Sequence, residues 1–137
     1  MAGIAERRFD DAEALARTGE NARANGVAYL SGFVIEILLK AQLIRRFPQI
    51  AVKRQHEVLE SERLVWRLIW SMHDLAMMLD NLPDLRIELQ KRSGRDGRDY
   101  VKELQQVCAS WTVQARYSPH TIQMREAREW LERVRTL

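Results

Sequence analysis

Ala28-Tyr29-Leu30-Ser31-Gly32-Phe33-Val34-Ile35-Glu36-Ile37-Leu38-Leu39-Lys40-Ala41 is an apolar run broken by only two charges, a carboxylate and an ammonium four positions apart. Val27, Leu30, Val34, Ile37, Ala41 and Ile44 recur in alternating steps of three and four, the spacing of one helical face. Phe33, Leu38 and Leu39 widen the apolar surface around the cylinder. A helix from about Gly26 to Phe47, stopped by Pro48, is therefore expected to lie centrally with neighbours on several sides. Glu36 and Lys40 stand in the favourable order for an i,i+4 pair, which on a solvated helix contributes about 0.2–0.5 kcal/mol.

Working outward, residues 4–17 carry a modest apolar face of Phe9, Ala12, Leu15 and Ala16, and the next segment is punctuated by Gly19, Asn21, Asn25 and Gly26. Residues 49–61 are polar and read as loop passing into helix. A second long helix is expected over 62–82, where Val65, Leu68, Ile69, Met72, Leu75, Ala76, Leu79 and Leu82 form a nearly unbroken stripe. Trp66, Trp70 and Met77 flank that stripe and read as core. Pro83–Gln90 predicts a further turn or two, and Lys91–Arg98 a basic, glycine-punctuated loop. Residues 99–116 bring Val101, Leu104, Val107, Cys108 and Trp111 to one side, and Ser118-Pro119 supplies an N-cap and first-turn proline for a last helix. No strand-like alternation occurs. The expected fold is all-α: one domain over 1–137, an antiparallel up-and-down bundle of four long helices plus one or two short ones.

Composition narrows the function classes. With 46% hydrophobic and 30% charged residues the chain has a globular balance and can bury a core. A net charge of +3 does not by itself mark a nucleic-acid binder. One cysteine excludes an internal disulfide and suits a reducing compartment, with Cys108 read as a buried thiol. The uncharged run from Ala24 to Ile35 is too short to span a bilayer, and the acidic N-terminus is unlike a secretory signal. A cytoplasmic protein without membrane contact is expected.

Metal and cofactor chemistry find no support in the spacing. His56-Glu57 lacks the second histidine of a zinc-binding His-Glu-x-x-His helix, and His56, His73 and His120 are far apart. No nucleophile elbow and no phosphate-cradling Gly-Lys-Ser/Thr ending occur. Neither a metal nor a cofactor is expected.

Gly32-Phe33-Val34-Ile35-Glu36-Ile37-Leu38-Leu39-Lys40-Ala41 resembles the Gly-hydrophobic-x-x-Glu-x-x-x-Lys-Ala run of the HEPN superfamily of small helical bundles. His73-Asp74-Leu75 at the head of an apolar segment and Trp111 followed by Arg116-Tyr117 stand in the order that family shows. The resemblance covers roughly residues 10–135. It implies an RNA- or nucleotide-associated protein, toxin-like, often a homodimer and often encoded beside a small nucleotidyltransferase as partner. It also implies metal-independent ribonuclease chemistry through an Arg-x(4–6)-His motif, with one residue stabilising the phosphorane and the other moving the proton.

Two places in the chain approach that motif. Arg116 and His120 lie in the expected region but are separated by only three residues, one of them Pro119. Arg67 and His73 have the permitted interval of five but fall on the middle helix. Arg116 and His120 are taken as the catalytic candidates. Lys91, Arg92, Arg95 and Arg98 are the candidate phosphate contacts, helped by Arg45, Arg46, Lys53 and Arg54. Glu36, Lys40, His73, Asp74 and Tyr117 are assigned supporting, conformational roles. The competing reading is a non-catalytic helical module for dimerisation or protein interaction, in which the same residues are structural and Lys91–Arg98 is a solvated connection.

Overall fold

The computed structural model describes residues 2–18 and 24–110, together with Arg128. Among these residues the regular elements are all helical: α1 (Ala2–Arg17), α2 (Ala24–Arg46), α3 (Pro48–Ala51), α4 (Arg63–Trp70), α5 (Leu75–Asp80), α6 (Pro83–Asp96) and α7 (Tyr100–Ser110). Short 3-10 turns at Gln55–Glu57 and Glu60–Glu62 bridge α3 and α4. The fold class is all-α.

α2 occupies the centre, touching α1, α3, α4 and α5. Val34, Ile35, Glu36 and Ile37 are consecutive and all buried. Four successive residues sweep the full circumference of a helix, so α2 is covered on every side at this level. Two polar side chains, Ser31 and Glu36, are buried with it and must find partners. Ser31 meets the requirement by donating its hydroxyl to the Val27 carbonyl one turn back at 2.7 Å. Glu36 meets it through partners on α2 and beyond. By length and composition alone, Gly26–Arg46 is apolar enough to cross a membrane, but half of its most apolar window is buried inside the fold, as a core helix requires.

One continuous core runs from Ala5 on α1 to Cys108 on α7 and includes Leu39, Leu43, Leu68, Leu75, Met78 and Leu79. Ala12, Ala16 and Val27 form a smaller cluster where α1 meets the start of α2, with Phe9 packed against both clusters. At the end of α1, Arg128 donates to the Ala16 carbonyl at 2.6 Å, supplying a partner to a C-terminal carbonyl.

The stripe over 62–82 is two helices rather than one. The amides of Ser71 and Met72 both return to the Arg67 carbonyl, at 2.8 and 2.7 Å, which closes α4. Asp74 then accepts the Met77 amide at 3.0 Å and caps α5. The hydrophobic period survives the break because Leu68, Ile69, Leu75, Met78 and Leu79 all reach the same core. Trp70 departs from its expected core position, being 56% exposed. Its indole instead donates to the Ala51 carbonyl at 3.2 Å, and that of Trp66 to the Lys53 carbonyl at 3.0 Å. The two rings stitch the end of α3 and the irregular segment after it onto α4.

The expected loop at 91–98 is also corrected. α6 continues to Asp96, and Gly97 takes the left-handed conformation (φ 71°) that ends it, its amide bonding the Ser93 carbonyl at 2.9 Å. Ser93 then ties the next helix down by accepting the Tyr100 amide at 3.0 Å. Glycine at position 94 suggests a break in sequence, but its place in α6 needs no special backbone angle.

Cys108 is buried as expected. Burial first, then the negative fields of Asp74 and Asp80, push its thiol from an ordinary 9.0 up to about 12. A raised acid favours the folded state while the unfolded thiol stays protonated, so this contribution is complete below pH 9.0 and is lost as pH rises toward about 12. Iodoacetamide at pH 8 should therefore label Cys108 readily only in denaturant. Native labelling at the rate of a free thiol would contradict the burial described.

Candidate functional site

Among the described residues Glu36 is the buried charged one, with its side chain 2% exposed at the middle of the central helix. An isolated carboxylate there would cost several kcal/mol. Among the described contacts, two groups offset that cost at one oxygen: Lys40 Nζ lies 2.8 Å from Glu36 Oε1, and His73 Nδ1 lies 2.6 Å from the same atom. Lys40 arrives from one turn along α2 with its side chain 16% exposed, so its methylenes cross the core while the ammonium reaches back.

His73 arrives from 37 positions away, held by its two successors. Asp74 caps α5, and Leu75, 1% exposed, anchors that helix in the core. The His-Asp-Leu sequence thus divides three tasks: a reach to α2, a helix start and a hydrophobic anchor. An ionised carboxylate only accepts hydrogen bonds, so Nδ1 carries a proton and donates it to Glu36. In the neutral ring the lone pair then sits on Nε2. The His73 side chain is 40% exposed although its Nδ1 edge faces a buried carboxylate.

Of the supporting residues, Glu36, Lys40 and His73 therefore converge, while Asp74 caps α5 beside them in sequence. Their sequence spacing pairs Glu36 with Lys40 and His73 with Asp74, and the structure adds the bond between the two pairs. The signal for it was present but weak: each pair interrupts an apolar stripe facing the same core. Arg67 lies in the last turn of α4 with an exposed side chain; among the described contacts, none joins it to His73.

The candidate phosphate contacts are dispersed over α6 and its turn. Lys91 and Arg95 are exposed. Arg92 lies over the Tyr100 ring at 4.3 Å and 3.6 Å from Asp96. Arg98 pairs with both oxygens of Glu103 at 2.9 and 3.0 Å, and this bond first of all raises its affinity for the proton. The Tyr100 hydroxyl donates to Asp96 at 2.7 Å, which is the main cause holding its proton above the usual phenol range. Among the helping cations, Lys53 is bound to both oxygens of Glu62 and Arg46 to Asp84. A cleft of about 280 Å³ between the end of α2 and the start of α6 is lined by Gln42, Arg45, Arg46, Asp84 and Glu88, a mixture of signs that defines no anion site.

Among the described residues, no group of three or more potential metal-binding side chains comes together. His56 is largely exposed and approaches only its neighbour Glu57, at 3.8 Å. Arg116, Tyr117 and His120, and with them Trp111, lie outside the described residues. No protein-family model, curated protein or solved structure matches this chain.

Removing one partner of a buried ion pair leaves the other uncompensated. Lys40→Met is accordingly expected to lower the free energy of unfolding by about 3 kcal/mol in urea titrations, and Glu36→Gln added to it should recover most of the loss. An unchanged midpoint in Lys40→Met would mean that the ammonium does not support Glu36. Asp74→Ala should cost about 1 kcal/mol through the lost cap.

Proposed function

We propose that this chain is a HEPN-like protein acting on RNA or a nucleotide by metal-independent acid–base chemistry. The observation that carries the reading is the Glu36–His73 bond. It links two of the three sequence elements on which the resemblance rests through a buried carboxylate, and it leaves the His73 side chain partly exposed. The arrangement supports the conformational role assigned to Glu36, Lys40 and His73, which fixes α5 against α2.

In this reading Arg116 holds the phosphate and stabilises the phosphorane oxygens while His120 moves a proton. Tyr117 has a supporting, conformational role, and Lys91, Arg92, Arg95 and Arg98 add attraction for the polyanion. The finer architecture is the up-and-down bundle of four main helices, assembled as a cytoplasmic homodimer and paired with a nucleotidyltransferase-type protein as the antidote of a two-gene module. A second reading, a non-catalytic interaction module, is favoured by the engagement of Arg92 and Arg98 with Tyr100, Asp96 and Glu103.

The test is cleavage of a mixed labelled RNA in EDTA, with wild type beside Arg116→Ala and His120→Ala. Expected are metal-independent cleavage by wild type and a loss of roughly 100-fold or more in each variant, both still folded. RNA left whole by micromolar wild type over hours would remove the nuclease reading and leave the interaction module.

A further inference from the structure

We propose that the outer face of α4 is a stacking platform for single-stranded RNA, with Trp66 and Trp70 taking bases and Arg63 and Arg67 taking phosphates. The choice of RNA rests on the RNA-directed reading above. The surface itself stands on separate residues and uses neither Arg116 nor His120.

The platform is built into α4 as a four-residue repeat, Arg63-Leu64-Val65-Trp66 followed by Arg67-Leu68-Ile69-Trp70. At 3.6 residues per turn, positions 63, 66, 67 and 70 fall within an arc of about 100° on one side of the helix. Val65, Leu68 and Ile69 occupy the opposite side and are buried in the core. The apolar demand of the fold is thus met without the tryptophans, and cations alternate with rings along the side that remains. Arg63 and Arg67 are exposed, Trp66 is half-buried and Trp70 is 56% exposed.

The rings are held ready for a ligand. Each indole N–H is already bound to a carbonyl, Trp66 to Lys53 and Trp70 to Ala51, at 3.0 and 3.2 Å. Those bonds fix the ring edges against the end of α3 and the segment after it, so little side-chain freedom is left to lose on binding. With its polar edge engaged, each indole has its π-face left to offer.

The cations are equally available. Among the described residues neither Arg63 nor Arg67 is paired with a carboxylate, and α4 carries no acidic side chain. Glu62, the carboxylate next to the stripe in sequence, is held at both oxygens by Lys53. Arg92 and Arg98, by contrast, are engaged by Asp96 and Glu103. A single strand presents the matching alternation of flat base and negative phosphate, and stacking with phosphate contact holds it without reading its sequence. A membrane surface fits less well, because α4 turns its continuous aliphatic face to the core.

The test is fluorescence anisotropy of a labelled 2′-O-methyl RNA decamer, which lacks the free 2′-hydroxyl and so cannot be cleaved by attack of that oxygen. Trp70→Gln removes the ring but keeps an amide donor, and should weaken binding about tenfold. Trp70→Phe keeps a ring face and should stay within about threefold of wild type. Arg63→Gln combined with Arg67→Gln should flatten the plot of log K against log salt by about 1.4, since each phosphate contact on a single strand contributes about 0.7. All these variants should melt within a few degrees of wild type. Unchanged affinity in Trp70→Gln, or an unaltered salt slope in the double arginine variant, would each overturn the platform. Equal affinity for a duplex of the same length, whose bases are already stacked, would overturn it too. Sedimentation with phosphatidylserine vesicles that Trp70→Gln abolishes, with no strand bound, would put a membrane surface in its place. Cleavage of ordinary RNA by wild type, with binding indifferent to these variants, would overturn the platform and leave the ribonuclease reading. Binding through the stripe without cleavage would do the reverse.

Discussion

A carboxylate in the middle of an apolar helix is the constraint around which this protein is arranged. Glu36 cannot be left alone at its depth, and water does not reach it in quantity. The protein must therefore bring charge or hydrogen-bond donors to a fixed point. Lys40 is near in sequence and comes without cost in topology. His73 is not near, and its arrival dictates where α4 stops, where α5 starts and which face α5 turns to α2. Apolar packing alone would accept several rotations of α5; a donor 2.6 Å from one oxygen accepts few.

That demand accounts for the interruption at 71–74. A continuous helix through this region would keep the hydrophobic stripe but carry residue 73 around on the helical screw. Closing α4 on the Arg67 carbonyl and restarting at the Asp74 cap frees the intervening backbone to aim the imidazole inward. The apolar residues on both sides still pack into one core, so the break costs little burial. A polar requirement is met by reshaping the chain, with the hydrophobic pattern left intact.

Burial of an apolar stripe is the dominant energetic demand, and it decides which features are legible in the sequence. The central helix, its position among several neighbours, the buried thiol of Cys108 and the all-α class are all readable from periodicity. The boundary at 71–74 is invisible to periodicity, since a stripe reads the same whether its helix is whole or capped midway. The basic 91–98 segment misleads for the opposite reason. Glycine and charge suggest a loop, yet Leu89 and Ser93 hold α6 in place and only Gly97 needs a backbone angle that glycine favours. Within the candidate site, the members of each local pair are readable one by one. Their meeting is not, because no spacing rule relates Glu36 to His73 across a separation of 37 positions. Exposure of Trp70 also escapes, since an indole that serves as a hydrogen-bond donor looks in sequence like one that serves as packing.

The paired tryptophans also bear on the order in which structure can form. Trp66 and Trp70 close spans of 13 and 19 residues, whereas the Glu36–His73 bond closes 37. Each doubling of a loop adds about 0.6 kcal/mol of closure entropy, so the entropic difference is small. The larger difference is directional. The indoles need only find carbonyls on an adjacent irregular segment, while the imidazole must meet one oxygen on a helix already formed and already surrounded. The segment from α3 to α4 can thus consolidate as a local unit, whereas the docking of α5 onto α2 requires both helices to be in register with each other.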